Sequence, residues 1–442
     1  MPVPPLPGLR FTGALAALSP EQRRALLERG RAGLAEARRA VEPLVEQVRA
    51  RGDDALRELT LRFDGARLER IEVSDRERQA LARMARPDDR KALARAAKRI
   101  RAYHARQKPK PFKVKVEGID LGWQPVPLDR VGVYVPGGQA SYPSTLLMGV
   151  LPAKLAGVAD VVVCTPPRRD GSIHPLLAAA AEEAGADRLF RVGGAQAIFA
   201  LAWGTATIPA VDKIVGPGNV YVQAAKQLVH GQVGVDMLAG PSEVLVIADD
   251  TAPPRLVALE MAAQSEHDPG AASVVVALSQ TLTKQVEAEL AALLPSMARH
   301  ATIERALAAN GALLTAGSLE EALAFANAHA PEHLVLMVKN PRAALAKVKR
   351  AGSVFLGPLS PVAMGDYGAG TNHILPTAGS ARFSSGLSVL DFVTWVQWQQ
   401  ASQAGAGRVA PDVARLAHAE GLQAHAAAAE ARLDLARATR KR

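Results

Sequence analysis

The chain has 442 residues, more than one hydrophobic core usually holds, so we expect at least two domains with a well-buried interior. Its composition, with 48% hydrophobic, 22% charged and 4% aromatic residues, excludes a disordered or fibrous protein and favours an Ala/Val/Leu-rich α/β protein. The net charge of +10 keeps nucleic-acid binding as an alternative, and the one cysteine, Cys164, excludes an intrachain disulfide.

The first 24 residues, MPVPPLPGLRFTGALAALSPEQRR, are interrupted by prolines and lack a positively charged start that leads into an apolar run. We therefore expect no signal peptide. No apolar run approaches the roughly 20 residues that a membrane-spanning helix needs. Together with the low cysteine content, these features predict a cytoplasmic protein without a membrane partner.

The N-terminal part of the chain, to about Val116, has mainly helical patterns. A capping-box pattern at Ser19 opens the stretch SPEQRRALLERG. The stretch VEPLVEQVRARGDDALRELTLRFDG has helical periodicity that ends at Gly65. Neither stretch contains a group of residues typical of catalysis.

The segment from Arg90 to Lys115 has eleven Lys and Arg and no Asp or Glu, and it carries much of the positive charge. Its first part predicts a helix with one face formed by Leu93, Ala96, Ala97, Ile100 and His104. Basic side chains around the rest of such a helix are typical of a solvated face. We prefer this interpretation to nucleic-acid binding because the interleaved aromatic residues are limited to Tyr103 and Phe112.

From Arg130 the pattern changes to short β-branched runs, each followed by a turn and a helical stretch. The strand patterns of this block are RVGVYV, DVVVC, RLFRV and KIVG. A second block begins near Ser242, with the strand patterns SEVLVIAD, ASVVVALS, GALLTA, HLVLMV and GSVFLG. Repeated βα alternation predicts two parallel sheets with helices on their faces. Residues 401–442 are helical and rich in Ala and Arg, and this tail is too short for its own core, so we expect it to pack on another part of the assembly.

Three turns with glycine follow predicted strands of the first block: Pro136-Gly137-Gly138, Gly193-Gly194 and Gly216-Pro217-Gly218-Asn219. None completes the G-x-G-x-x-G fingerprint, because Tyr221 stands where its last glycine would be. Taken singly, each is explained by a tight structural turn. Because they follow consecutive strands, we expect all three at the same carboxyl edge of the sheet, where ligands bind.

The stretch AQSEHDPG places Gln264 and His267 three residues apart, so on a helix both can face one metal ion. The alternative is a helix end with polar caps, stopped by Asp268-Pro269-Gly270. Other polar clusters favour a site.

Two of those clusters lie further along the chain. Glu332 and His333 stand side by side in HAPEHLVLM, and Asp366 and His373 lie in the glycine-rich stretch GDYGAGTNH. Carboxylate, amide and imidazole ligands suit zinc or a similar divalent ion, although a Gln ligand is unusual. A neighbouring Glu and His supply two proton acceptors of different basicity, which suits a reaction with two proton removals.

Cys164 raises the alternative of a thiol nucleophile of the aldehyde dehydrogenase type. It ends the predicted strand DVVVC, where a small buried residue is usual, and no base neighbours it in the sequence. We therefore interpret Cys164 as structural.

Seven stretches, in this order, closely resemble the histidinol dehydrogenase family: VGVYVPGGQASYPSTLLMGVLPAKLAGV, GGAQAIFALAWGT, VGPGNVYVQAAKQLV, DMLAGPSEVLVIAD, EMAAQSEHDPG, APEHLVLM and MGDYGAGTNHILPT. The similarity runs from about Val41 to about Ala429, and the joint occurrence of these motifs is highly specific. The resemblance implies oxidation of L-histidinol to L-histidine with zinc and two NAD⁺, through L-histidinaldehyde, in the last two steps of histidine biosynthesis.

The resemblance also implies roles for individual residues. The zinc ligands, one ion per subunit, would be Gln264, His267, Asp366 and His425. The substrate contacts would be these four together with Ser242, His333, His373 and Glu420. The NAD contacts would be Tyr134, Gln196 and Asn219. His333 would take the hydroxyl proton in each oxidation, and Glu332 would activate the water that attacks the aldehyde.

The resemblance further implies two Rossmann-like α/β/α domains with an incomplete dinucleotide fingerprint and helical extensions at both ends. We assign an N-terminal arm (1–28), a first α/β domain (29–128 and 242–385), an NAD-binding second α/β domain (129–241) and a C-terminal tail (386–442). The tail would pack on the partner of an intertwined homodimer and donate His425 in trans. Glu420 and His425 are five apart, about 140° around an ideal helix, so they share a face only if Gly421 interrupts it.

Two alternatives from the residues stay open. A relative within the family could oxidise another small alcohol with the same zinc and NAD, because few pocket residues decide substrate choice. A non-enzymatic zinc or nucleic-acid module is disfavoured, because structural zinc sites usually use Cys. We expect no nucleic-acid partner.

Overall fold

The computed structural model describes residues 8–30, 33–137, 141–237 and 240–439, so Gly138 of the first glycine turn lies outside the described residues. The chain divides into two compact units. The larger unit comprises Met1–Gln107 and Asp129–Phe392, and the smaller one Lys108–Leu128 and Val393–Arg442.

The strands of the described residues are numbered in chain order: β1 (Phe11–Ala14), β2 (Glu72–Val73), β3 (Phe112–Val116), β4 (Ile119–Pro127), β5 (Arg130–Tyr134), β6 (Asp160–Cys164), β7 (Arg188–Phe190), β8 (Lys213–Val215), β9 (Gly234–Val235), β10 (Glu243–Ala248), β11 (Ala272–Ala277), β12 (Gly311–Thr315), β13 (His333–Met337), β14 (Ser353–Leu356) and β15 (Val393–Ala401).

The helices of the same residues are α1 (Pro20–Leu27), α2 (Leu34–Arg51), α3 (Asp53–Asp64), α4 (Asp75–Met84), α5 (Pro87–His104), α6 (Pro143–Ala156), α7 (Pro175–Ala184), α8 (Gly194–Trp203), α9 (Val220–Val229), α10 (Pro254–Ser265), α11 (Gln280–Leu293), α12 (His300–Asn310), α13 (Leu319–His329), α14 (Pro341–Leu345), α15 (Val362–Tyr367), α16 (Gln403–Ala419) and α17 (Gln423–Thr439).

The first sheet of the larger unit is parallel throughout, in the order β1-β12-β11-β10-β13-β14. Every residue of β10 and β11 is buried, as expected for strands covered by helices on both faces. Alternate residues of β10 enter different cores: Val244 and Val246 pack in a cluster with α10 and α11, whereas Leu245 and Ile247 pack in a cluster with α13. Period-two alternation therefore builds two cores from one strand.

The second sheet has the order β2-β7-β6-β5-β8-β9 and is parallel except for the antiparallel pair of β2 and β7. Side chains of α2, α3, α8 and α9 share one core with this sheet, which includes Leu44 and Phe199. On α6, a Cβ at Gly149 would lie 2.5 Å from Val133 Cγ1 of β5. Glycine at this position therefore permits the close approach of helix and strand.

The smaller unit consists of an antiparallel sheet in the order β15-β4-β3 and of the helices α16 and α17. Trp123 and Trp395 stack across the sheet with their ring centroids 4.1 Å apart. The two helices pack through small side chains, since their buried cluster contains Ala410, Ala414 and Ala429. Such a cluster buries little apolar area, and Leu416, Leu422 and Leu435 stay exposed.

The predicted two-block βα alternation and the helical tail after Ala401 are confirmed, and the capping box joins Ser19 to Gln22 at the start of α1. The predicted face of α5, formed by Leu93, Ala96, Ala97, Ile100 and His104, is buried. The sequence did not predict β1, β2 and β9, which add edge strands to the two parallel sheets. It also did not predict the antiparallel sheet, and because β15 belongs to that sheet the expectation of a helical tail over 386–442 was wrong for its first part. The domain boundaries remain predictions. No helix of the described residues is both long and apolar enough to cross a membrane.

Candidate active site

A cavity of about 1120 Å³ lies in the larger unit, where the carboxyl ends of β5 and β8 face the amino ends of β10 and β13. Its lining combines the glycine turn 216–219 with the polar residues that precede or begin strands of the first sheet. Nine predicted site residues line it: Tyr134, Asn219, Ser242, Gln264, His267, Glu332, His333, Asp366 and His373. The structure thus brings together residues that lie as far apart as 134 and 373 in the sequence.

His333 begins β13 with one ring nitrogen free to accept a proton. Its Nδ1 lies 2.9 Å from the carbonyl oxygen of Glu243 and donates to it, so Nε2 is the unprotonated nitrogen. Nε2 is buried, has no hydrogen-bond partner and lies 3.8 Å from Asp366 Oδ1. Burial lowers the pKa of His333 to about 4. The imidazole is therefore neutral at pH 7 and can act as a base at Nε2.

Glu332 directly precedes His333 and is also held by Glu243. Its Oε2 accepts a hydrogen bond of 2.8 Å from the backbone nitrogen of Glu243. Burial raises the pKa of Glu332 well above its usual value, and the nearby carboxylate of Glu243 raises it further. Glu332 Oε2 lies 3.7 Å from His333 Nδ1, but the two side chains form no ion pair because the imidazole is neutral. A raised pKa makes the Glu332 carboxylate a stronger base than that of an exposed glutamate.

Of the predicted metal ligands, Gln264 lies in the last turn of α10, His267 lies two residues after that helix, and Asp366 lies in the short helix α15. Gln264 is 3% exposed, and its Nε2 has no hydrogen-bond partner. Burial lowers the pKa of His267, while burial and the nearby Glu260 raise the pKa of Asp366 to about 7. A buried amide without a partner, a neutral imidazole and a buried carboxyl group fit the coordination of a cation.

Within the described residues, no three His, Cys, Asp or Glu side chains are arranged to hold a metal ion. The predicted set in this unit has two side chains of those types, His267 and Asp366, beside the amide of Gln264. A fourth ligand from elsewhere is therefore needed to complete a tetrahedral zinc site.

His373 fixes the loop that follows Asp366. Its Nδ1 donates to the carbonyl oxygen of Asp366 at 2.9 Å, and its Nε2 accepts from Thr145 Oγ1 at 3.0 Å. Burial lowers the pKa of His373 to about 4, so the ring is neutral at pH 7. Thr145, from α6, thus connects the second sheet's helices to this loop, and no motif in the sequence indicates this role.

The glycine turns meet at Tyr134, as their predicted common edge requires. Its hydroxyl oxygen accepts from the backbone nitrogen of Gly194 at 3.1 Å. Gly216 has a φ of +117°, and a Cβ there would lie 2.0 Å from the carbonyl oxygen of Tyr134. Asn219 caps α9, because its Oδ1 accepts from the nitrogens of Tyr221 and Val222. The turns after β7 and β8 therefore both contact Tyr134, the last residue of β5, so the three turns lie at one edge of the sheet.

A buried ion pair holds the Gly216 turn in place. Lys226 Nζ lies 2.6 Å from Asp236 Oδ1 and donates to the carbonyl oxygen of Gly216 at 2.5 Å. The backbone nitrogen of Gly216 in turn donates to Asp236 Oδ2 at 2.7 Å. The turn is therefore held at both the nitrogen and the carbonyl oxygen of Gly216. The two charged side chains that hold it are each 1% exposed.

Three other predicted site residues are not among those that line the cavity. Gln196 is 1% exposed, and its Nε2 has no hydrogen-bond partner. Glu420 and His425 belong to the smaller unit, where both are exposed. Gly421, with a φ of +77°, lies between α16 and α17, so the helix is interrupted between Glu420 and His425, which is the condition stated above for these two residues to share a face.

Cys164 is fully buried at the end of β6, and burial raises the pKa of its thiol far above the usual value. A buried neutral thiol is a poor nucleophile, which supports its interpretation as a structural residue.

Sequence reasoning missed Arg29 and Glu243, a buried ion pair in which Glu243 also forms hydrogen bonds with Glu332 and His333. The sequence does contain a signal for Glu243, because this acidic residue begins the otherwise apolar strand pattern EVLVIA. Arg29 gives no such signal, since it follows a helix that is rich in charged residues and lies 214 positions before Glu243 in the sequence.

A cavity between two α/β layers, lined by glycine turns and a buried Glu–His pair, is typical of an α/β enzyme. A family model described as histidinol dehydrogenase matches residues 27–433. The histidinol dehydrogenases of Methanosarcina barkeri and Methanothermobacter thermautotrophicus are 48% and 47% identical to this chain, covering 95% and 92% of it and 96% of each relative. The crystal structure of histidinol dehydrogenase from Elizabethkingia anophelis matches with a TM-score of 0.92 and 36% identity, covering 96% of this chain and 98% of that one. The chain therefore belongs to the histidinol dehydrogenase family, and it is an oxidoreductase.

Proposed function

We propose that this protein oxidises L-histidinol to L-histidine through L-histidinaldehyde, with two NAD⁺, in the last two steps of histidine biosynthesis. The observation that carries this proposal is His333 Nε2, an unprotonated and unpartnered base that lines the same cavity as the glycine turns. Glu332, the second proton acceptor, is its direct neighbour in the sequence and lines the same cavity. The site thus offers one base for hydroxyl groups and another for water.

We assign the cofactor to the turns at the carboxyl edge of the second sheet. Tyr134 and Asn219 line the cavity, and the third proposed NAD contact, Gln196, lies buried in the first turn of α8, directly after the glycine turn that follows β7. Glycine at position 216 lets the turn pack against the carbonyl oxygen of Tyr134, and the backbone of this turn lines the cavity. When bound, NAD⁺ accepts a hydride from the carbinol carbon, once in each oxidation.

We assign one zinc ion per subunit to Gln264, His267, Asp366 and His425 of the partner subunit. When bound, zinc supplies a Lewis acid that holds the imidazole and amine of the substrate in a fixed orientation. The unpartnered Gln264 amide and the buried Asp366 carboxyl group support this assignment. Ser242, His373 and Glu420 complete the proposed substrate contacts.

The two bases divide the proton transfers. His333 Nε2 takes the hydroxyl proton of the alcohol as its carbon loses hydride. Glu332 then takes a proton from the water that attacks the aldehyde, and His333 returns its proton to the aldehyde oxygen, which produces a hydrated aldehyde and leaves His333 neutral again. His333 takes a hydroxyl proton of this hydrate in the second oxidation. Glu332 and His333 are buried side chains of this cavity, and we expect the aldehyde formed beside them to be retained until its own oxidation.

The proposal is tested by counting NADH. We expect two NADH for each L-histidinol consumed, measured by absorbance against histidine formed, and no NADH from simple polyols under the same conditions. Turnover of a different alcohol, with L-histidinol left unchanged, would overturn this assignment and favour a family relative of other specificity.

Removal of the metal ion tests the zinc assignment. Dialysis against a strong chelator is expected to abolish activity, because the substrate loses the group that orients it. Addition of zinc is expected to restore activity, and the bound metal is measured by atomic absorption. A protein that keeps full activity with no measurable metal would disprove the ligand assignment while leaving the NAD assignment untouched.

The smaller unit supports a proposed homodimer. Its helices share a buried cluster of small side chains, and three leucines of this tail stay exposed. His425 is exposed as well. We therefore assign this tail to the surface of a partner subunit, where His425 acts in trans.

A further inference from the structure

We propose that Arg29 and Glu243 form a buried pair that positions Glu332 for the aldehyde-oxidising step. This inference rests on the proposed function, because it assigns Glu332 the activation of water. Neither residue touches the reacting atoms, so both are positioning residues.

Glu243 holds the Glu332–His333 dipeptide by three separate hydrogen bonds. Its carboxylate Oε1 accepts from the backbone nitrogen of Glu332 at 3.1 Å. Its backbone nitrogen donates to Glu332 Oε2 at 2.8 Å, and its carbonyl oxygen accepts from His333 Nδ1 at 2.9 Å. Glu243 therefore holds Glu332 at both its backbone and its carboxylate, whereas it holds the His333 ring only through its own backbone.

Arg29 fixes the Glu243 carboxylate itself. Its Nε and Nη2 donate to the two carboxylate oxygens of Glu243, each at 2.5 Å, in the bidentate geometry that an arginine forms best. The side chains are 6% and 2% exposed, so solvent does not compete for these bonds. Arg29 Nη1 also donates to the carbonyl oxygen of His329 at 2.9 Å, at the end of α13.

The segment between His329 and Glu332 needs this support. Ala330 has a φ of +49°, a left-handed conformation that a non-glycine residue rarely adopts. Arg29 holds the residue before Ala330, and the Glu243 carboxylate holds the nitrogen of Glu332 two residues after it. The pair thus fixes both ends of a strained turn that leads directly into the Glu–His dipeptide.

Because of this arrangement, a positioning role of the Arg29–Glu243 pair can be distinguished from a purely structural role. A change to the Glu243 side chain leaves the backbone bond to His333 in place, so the alcohol-oxidising step keeps its base. The same change loosens the turn at Glu332, and small displacements of a catalytic group reduce rates steeply. Loss of the pair therefore affects the two oxidations unequally, whereas a general loss of folded protein reduces both equally.

The experiment compares two substrates in each variant. In Glu243→Gln, the amide oxygen can still accept a hydrogen bond from the backbone nitrogen of Glu332. The substitution removes the negative charge that pairs with the guanidinium group of Arg29. We expect kcat for L-histidinaldehyde supplied directly to fall by about 10- to 100-fold. We expect oxidation of L-histidinol to the aldehyde, measured as the first NADH in single turnover, to fall less than about threefold, with an unchanged KM for histidinol.

A matched control removes a different ion pair of the larger unit. Glu77→Gln breaks the pair with Arg191, and neither residue lines the cavity. Both oxidations are expected to keep their parental rates in this control.

A double variant covers the case in which Glu243→Gln leaves the Arg29 charge buried and fails to fold. Arg29→Met with Glu243→Gln removes both charges together, which often preserves stability. It is expected to fold and still to show the selective loss of aldehyde oxidation. Equal losses in both oxidations, or none, in a folded variant would overturn the inference. If the parent protein oxidised neither substrate, the proposed function itself would fall, and the inference with it.

Discussion

Glu332→Gln is expected to slow the oxidation of the aldehyde to the acid by about 10²- to 10⁴-fold, the usual contribution of a general base. Oxidation of the alcohol to the aldehyde is expected to change little, because His333 Nε2 and its hydrogen bond to the Glu243 carbonyl stay in place. Glutamine retains an oxygen that accepts from the Glu243 nitrogen, so the substitution removes basicity with little change in shape.

The measurement separates the half-reactions by supplying L-histidinaldehyde directly in one assay and following the first hydride transfer from L-histidinol in the other. Glu320→Gln, at an exposed salt bridge with Lys347, is a control that is expected to leave both unchanged. Equal losses in the two half-reactions of Glu332→Gln would contradict the proposed division of labour between Glu332 and His333.

The pH dependence of the aldehyde-oxidising step is an independent test of the role of Glu332. Burial raises the pKa of Glu332, and water activation needs its carboxylate form. The aldehyde step of the parent protein is therefore expected to slow as pH falls through this raised pKa, and the Glu332→Gln variant loses that dependence. His333, with a pKa lowered to about 4, stays neutral over the same range.

The two parallel sheets could be predicted from the sequence because most of their strands have a recognisable local pattern. Every residue of β10 and β11 is buried, and such strands appear as unbroken apolar runs between turns. The edge strands β1 and β2 could not be predicted in this way. β2 has two residues, and β1 has one partly buried and three exposed residues, so neither has a pattern before its partner strand is known.

The residues that line the candidate site could be predicted from the sequence, whereas the buried residues that hold them in place could not. Gln264 and His267 are three residues apart, and Glu332 and His333 are neighbours, so local spacing indicates them. The ligand cluster lies at the amino ends of β10 and β13, whereas general rules place ligands at carboxyl ends. Arg29 reaches Glu243 across 214 positions of sequence, a contact that the tertiary fold alone creates.

Exposure of His425 leads to the most demanding prediction, which concerns assembly. In the larger unit, Gln264, His267 and Asp366 provide three of the four proposed zinc ligands. The fourth, His425, lies at the start of α17 in the smaller unit. If each site takes His425 from the partner subunit, then His425→Ala and Glu332→Gln disable different positions of a shared site. Each variant alone is expected to produce no histidine at a significant rate.

Unfolding the two variants together and refolding them is expected to restore histidine formation to about a quarter of the parental value. Random pairing makes about half of the dimers mixed, and one of the two sites in each mixed dimer is intact. That site combines Glu332 of the His425→Ala chain with His425 of the Glu332→Gln chain, while the other site carries both changes. His418→Ala, an exposed histidine of α16, is a control that is expected to keep activity without mixing. A mixture that stays inactive would place His425 in the site of its own chain, because every site would then retain one defect.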